Sequence, residues 1–294
     1  MGDRASGREA VEPAPEHPPD SFVHSARMLP GLVASAVGYR TRRENARVHR
    51  GLPSPWLTFI FSIGDPIELV GERPRHFEVI VSGLHTTPAY VREPVRQEGI
   101  QLAVHPLAAR RLFGMPAGEL VRRDLEGVDL LGRGARIVLD RLGDSSGWQP
   151  RFGAVADYAR ARVDAATRGP GVRPEVAEAW RWLAARHGAG SIRELSRHVA
   201  LGERQLGAEF TREVGLSPKS VARLMRFDRA VALVAGRERA GVPLDLAGIA
   251  ATCGYFDQSH LARDFVSFTD FSPQRWIAEE LRNIQAGGHT NGQS

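Results

Sequence analysis

The stretch Cys253-Gly254-Tyr255-Phe256-Asp257-Gln258-Ser259-His260-Leu261-Ala262-Arg263-Asp264-Phe265 decides how this chain is read. A small residue and a glycine lead into a short turn. Asp257 reads as a helix N-cap, because a short carboxylate accepts from backbone N–H groups that the first helical turn leaves unpaired. Leu261 and Phe265 stand four residues apart and mark a buried stripe. Gln258, Ser259, Ala262 and Arg263 then project from the opposite side. His260 either joins that face or packs back on the turn.

The same pattern occurs a second time upstream. Ser191 matches Asp245 as an N-cap, Leu195-Ser196 matches Ile249-Ala250, and Val199-Ala200 matches Cys253-Gly254. After one inserted residue Gly202 matches Asp257, Leu206 matches Leu261, Phe210 matches Phe265, and Ser217-Pro218 matches Ser272-Pro273. Ser191 with Glu194 has the spacing of a capping box, and each Ser-Pro pair reads as N-cap followed by proline at the first helical position. Between the copies, residues 218 to about 235 carry one continuous helical pattern through Val221, Leu224, Met225, Ala230, Val231 and Val234.

Helix, tight turn, helix with one apolar side is the helix-turn-helix pattern, whose second helix enters a DNA major groove N-terminus first. The candidate base-contact residues are Gln258, Ser259, His260, Ala262 and Arg263 in the second copy, and Arg204, Gly207 and Ala208 in the first. Glutamine suits adenine, and arginine suits guanine or a phosphate. Arg212, Lys219, Arg223, Arg226 and Arg229 are the candidate phosphate contacts. The first copy has Gly207-Ala208-Glu209 on its outer face and Gly202 in place of a side-chain cap. Base readout is therefore expected mainly from the second copy, with the first positioning the protein.

Residues 172–282 resemble the DNA-binding domain of the AraC/XylS family of bacterial transcription regulators. The resemblance rests on the opening stretch, on Gly215-Leu216-Ser217-Pro218-Lys219 and on Arg226-Phe227-Asp228-Arg229-Ala230. It implies seven helices in two helix-turn-helix subdomains and a regulator, most often an activator, acting on double-stranded promoter DNA with RNA polymerase as partner. A small-molecule effector and a homodimer are further expectations. A weaker resemblance, carried by residues 99–115, links the N-terminal part to β-rich domains that precede this unit in actinobacterial regulators.

The rest of the chain frames this unit. Its 294 residues suggest roughly two domains. Residues 1–20, rich in Pro and Glu, read as a disordered tail, and residues 283–294 as a second. Residues 21–168 read as a β-rich, barrel-like domain for sensing or dimerisation. Strands are expected at 31–39, 57–63, 77–84 and 100–105, and helices at 106–113, 117–122, about 134–142 and 152–167. Another helix follows at 173–187. The expected class is α+β, with an all-α C-terminal domain whose two subdomains are joined by a long helix.

Net charge is +5, and the segment from Arg173 onward carries only +2 of it, so charge does not locate a nucleic-acid face. One cysteine excludes an internal disulfide and fits a reducing compartment. No apolar run is long enough for a membrane span, and a cytoplasmic location is expected. Cys253 is either a reactive thiol or a small buried residue, and its match to Val199 favours burial. His49, His76, His85 and His105 lack metal-ligand spacing. Trp56, Phe59 and Phe61 fit either an effector pocket or a core. No nucleotide loop, nucleophile elbow or cofactor motif occurs, so neither an enzyme nor a cofactor is expected. The competing reading is a metal-dependent enzyme barrel fused to an autoregulatory DNA-binding domain.

Overall fold

Alternation makes Leu57–Ile63 a strand with two working faces: Leu57, Phe59 and Phe61 are buried on one side, and Thr58 and Ile60 point to the other. The rest of the N-terminal part is layered about these faces. The computed structural model describes residues 21–25, 28–71, 74–120, 125–166 and 171–285. The expected tail 1–20, most of the boundary signal at 168–171 and the tail beyond 285 lie outside the described residues.

The strands are β1 (Ser21–His24), β2 (Val33–Arg42), β3 (Arg47–Gly51), β4 (Leu57–Ile63), β5 (Ile67–Leu69), β6 (Arg75–Phe77), β7 (Val79–Ser82), β8 (Ala89–Glu93), β9 (Arg96–Val104) and β10 (Leu125–Glu126). The helices of this part are α1 (Ala109–Phe113), α2 (Ala117–Leu120), α3 (Gly127–Leu131), α4 (Arg133–Asp144) and α5 (Trp148–Ala165). Two antiparallel sheets result, ordered β1-β2-β9-β4-β7-β10 and β3-β8-β5-β6. The strand expected over 77–84 divides at Glu78. Its first part, β6, pairs with β5, and its second, β7, pairs with β4.

The fold is α+β, but the barrel-like expectation is corrected to two open sheets facing each other. Closure needs edge strands long enough to pair across the gap. Here β1, β6 and β10 span only 4, 3 and 2 residues. One face of the larger sheet packs on helices, with Phe59 5.3 Å from Phe113 and Phe61 6.4 Å from Tyr158, both edge-on. Its other face meets the smaller sheet through Ile60 and Ile80 against Ile67, Leu69 and Val91.

The C-terminal part contains α6 (Pro174–Ala185), α7 (Ile192–His198), α8 (Glu203–Val214), α9 (Pro218–Arg239), α10 (Leu246–Thr252), α11 (Gln258–Thr269) and α12 (Pro273–Gln285). These are the seven helices that the resemblance implied. Their apolar residues belong to two cores. One runs from the larger sheet through α1, α4 and α5 into α6, α7 and α8, so Phe59, Leu112 and Val155 share a cluster with Trp180, Leu195 and Phe210. The other is confined largely to the second helix-turn-helix, where Phe227, Leu261, Phe265, Phe268 and Trp276 meet.

Candidate nucleic-acid interface

The turn between α10 and α11 is built by three residues with different tasks. Gly254 takes the left-handed conformation, φ 74°, that reverses the chain. Tyr255 is buried, its ring 5.1 Å from that of His260 and 5.8 Å from the Arg226 guanidinium. Asp257 caps α11 by accepting from the His260 N–H at 2.6 Å. Leu261 and Phe265 are fully buried, as the spacing required. Gln258, Ser259 and Arg263 are exposed, and Ala262 is half-exposed. Ser259 and Arg263 lie one turn apart, with the Arg263 Nε donating to the Ser259 carbonyl at 3.3 Å. His260 is half-buried against Tyr255. A capped helix start thus presents glutamine, serine and arginine to solvent beside a rigid turn.

The first copy repeats the frame and lacks part of the chemistry. Ser191 and Glu194 form both bonds of the capping box. Ala200 takes the left-handed conformation, φ 54°, at the position matching Gly254. Gly202 gives α8 no side-chain cap. Arg204, Ala208 and Arg212 fall on one exposed face, and a Cβ added to Gly207 would meet nothing within 4 Å. The nearby acids are turned to internal use. Glu209 stands 3.5 Å from Arg173 and 2.5 Å from Arg212, while buried Glu213 accepts two hydrogen bonds from Arg110, at 2.8 and 2.9 Å.

Helix α9 spans 22 residues, about 33 Å at 1.5 Å per residue. Ser217 caps it and Pro218 occupies its first turn. Of the candidate phosphate residues, Lys219 is exposed at this N-terminus. Arg223 bonds Asp264 at 2.7 Å and so ties α9 to α11, and Arg226 donates to the Gly188 carbonyl at 2.7 Å. Arg229 is half-buried, close enough to His187 and Cys253 to bias their titration. Arg212 also bonds Glu213 at 3.1 Å. Three of the five cations, Arg212, Arg223 and Arg226, therefore brace the domain while lying on its long helix or at its first recognition helix. Cys253 is buried, and burial pushes its thiol up to about 11, consistent with packing rather than reactivity.

A family model described as a helix-turn-helix domain matches residues 195–279, which span both copies. The C-terminal part is an AraC-type helix-turn-helix domain. Residues 195–279 thus carry the kind of module that binds DNA. No curated protein matches the chain. Among solved structures, ToxT from Vibrio cholerae O395 aligns over 83% of this chain and 96% of its own, at 10% identity and TM-score 0.48. The same protein bound to (E)-4-(8-methylnaphthalen-1-yl)but-3-enoic acid aligns over 88% and 98%, at 10% identity and TM-score 0.48. The AraC-like transcriptional activator CuxR aligns over 64% and 74%, at 14% identity and TM-score 0.28.

The AraC-type domain is joined to the N-terminal part by contacts that sequence reading does not find. Arg110 pairs with Glu213. The His105 ring lies 4.9 Å from Trp180 and 5.9 Å from Trp56. Tyr90 hydrogen-bonds Asp270, and the Arg50 guanidinium sits 3.7 Å over the Phe271 ring. Between the sheets lies a cavity of about 280 Å³, lined by Trp56, Ile60, Ile80 and Val91 and also by Phe227, Asp228 and Val231 of α9. Trp56 thus lines this space, whereas Phe59 and Phe61 belong to the core. Among the described residues no group of three or more His, Cys, Asp or Glu could hold a metal ion, and no helix is long and apolar enough to cross a membrane.

Proposed function

We propose that this regulator reads double-stranded promoter DNA chiefly through α11, with α8 setting its position on the duplex. The carrying observation is the capped start of α11, where Gln258, Ser259 and Arg263 are exposed opposite buried Leu261 and Phe265. Arg263 and Gln258 supply base-edge contacts, Ser259, His260 and Ala262 complete the face, and Arg204, Gly207 and Ala208 let α8 lie close to the groove. Lys219, Arg212, Arg223, Arg226 and Arg229 form the phosphate set, with Arg212, Arg223 and Arg226 oriented by their internal partners. RNA polymerase and a second copy of the chain are the protein partners of this reading, in the cytoplasm.

Selection of binding sites from random duplexes, with wild type and with the Gln258→Ala/Arg263→Ala variant, tests it. Wild type should return a defined motif. The variant should lose information at two to three adjacent base pairs and keep its affinity for random DNA. An unchanged motif in the variant would refute the assignment of α11.

Control through the N-terminal part belongs to the same proposal. Residues of α9, the element joining the two readers, line the sheet cavity, so a small molecule held there can touch the helix that sets their spacing. Ile60→Trp, which fills the cavity, should change affinity for the selected site. Equal affinity in a folded variant would remove the coupling.

A further inference from the structure

Phe256 is 93% exposed, whereas the other exposed large apolar residues, such as Val48, Ile137 and Val266, reach only 49%, 44% and 48%. A phenyl ring wholly in water is costly by the area it leaves wet, and no neighbouring side chain shields it. Its backbone is nevertheless held on both sides. Tyr255 before it is buried and packed on His260, and Asp257 after it caps α11. The ring therefore stands on a rigid turn, two residues before Gln258 and the helix end that carries it.

We propose that Phe256 is a specificity-determining residue that contacts the 5-methyl group of a thymine at the edge of the site read by α11. This rests on the DNA-reading proposal above. The first residues of a recognition helix, and those just before it, come closest to base edges in the major groove. There the thymine methyl is the one apolar feature of the four base pairs, and phenylalanine is among the side chains that recognise it by contact. In the first copy Leu201 takes the place of Tyr255, its N–H bonding the Ser196 carbonyl as that of Tyr255 bonds the Ala250 carbonyl, so Phe256 is the one inserted residue and the exposed ring is a property of the second reader alone.

The test is a double-perturbation cycle on the selected duplex. Every thymine is replaced by uracil, which deletes methyl groups and leaves all hydrogen-bonding edges in place. Wild type should bind the uracil duplex about fourfold more weakly, the equivalent of one lost methyl contact. Phe256→Ala should bind the thymine duplex at least that much more weakly, and should be nearly indifferent to the uracil exchange. Phe256→Leu should recover part of the discrimination. Independent, additive losses would overturn the proposal, as would full affinity in Phe256→Ala. If Phe256→Ala binds normally but fails to activate transcription in vitro, the ring faces a protein and the methyl contact is wrong. A wild type that selects no motif at all would instead defeat the reading of α11, so the two failures are distinguishable.

Discussion

His105 makes acid sensitivity a measurable consequence of how the sheets hold the first helix-turn-helix. Burial between Trp56 and Trp180 pushes its imidazole down from 6.5 to about 4. Below pH 6.5 the unfolded chain takes up a proton at this position while the folded chain does not until about pH 4. The folded state binds fewer protons in that window, so stability is full above pH 6.5 and falls as pH is lowered towards 4. Between pH 7 and pH 5 the loss is about 2 kcal/mol, since one proton withheld from the folded state costs about 1.4 kcal/mol for each pH unit below 6.5. The partner variant is His105→Asn. It does not titrate, and its side-chain oxygen can replace the Nδ1 that accepts from the Leu107 N–H at 3.1 Å. Urea unfolding followed by tryptophan fluorescence at pH 7 and pH 5 measures both proteins. Other acid-sensitive pairs are common to the two and cancel in the comparison. Wild type should lose about 2 kcal/mol more than the variant over this range. Equal losses would show that the ring titrates near its ordinary value, and the reasoning from burial would fail.

Three further outcomes are expected. Gly207→Ala should raise stability by up to about 1 kcal/mol in thermal or urea unfolding, because the position is mid-helix and an added methyl meets nothing; a loss would place an unseen constraint on α8. Lys219→Ala should weaken binding to specific and random DNA alike and lower the slope of log affinity against log salt by about 0.9; an unchanged slope would remove Lys219 from the phosphate set. Arg110→Met should destabilise the protein by about 2 kcal/mol, because it leaves the buried Glu213 carboxylate with Arg212 alone. Burial raises the Glu213 carboxyl, and its bonds from Arg110 and Arg212 outweigh this and hold it below the usual range. The contribution is therefore present at neutral pH and lost as pH falls through the depressed value, so the stability difference between the two proteins in urea unfolding should narrow as pH is lowered from 7 into that acid range.

The C-terminal elements are legible because each is announced locally. Caps at Ser191, Asp245, Asp257 and Ser217, prolines at first helical positions, and leucine–phenylalanine pairs four apart all act within one or two turns of their own helix. The sheets are half legible. β4 alternates over seven residues and its pattern marks its observed bounds, whereas β3 and β5 are short with His49 and Glu68 at their centres, and β8 is five residues ending in Arg92-Glu93, so none is long enough to carry a clear period-two signal. The stretch 77–84 reads as one strand because nothing at Glu78 marks a change of partner. The contacts that fasten the sheets to the AraC-type domain are invisible for another reason. Arg110 and Glu213 are 103 positions apart, and Tyr90 and Asp270 are 180 apart, so no spacing rule connects them. The exposed face of α11 is readable from the burial of the other face. The internal duties of Arg223 and Arg226 are not, since an arginine on a helix looks the same whether it faces a phosphate or a carbonyl.

The division of apolar side chains into two clusters also determines how this molecule comes apart. A protein whose cores are separate opens in separate cooperative units. The sheets, α6, α7 and α8 share one cluster and should protect their backbone amides from exchange together. The second cluster, around Phe265 and Trp276, can open at a lower free energy while the first stays intact. Cutting the chain before α6 would strip Trp180 of Trp56 and His105 and expose a face meant for the sheets, so a free C-terminal fragment should keep its second reader folded and lose order in its first.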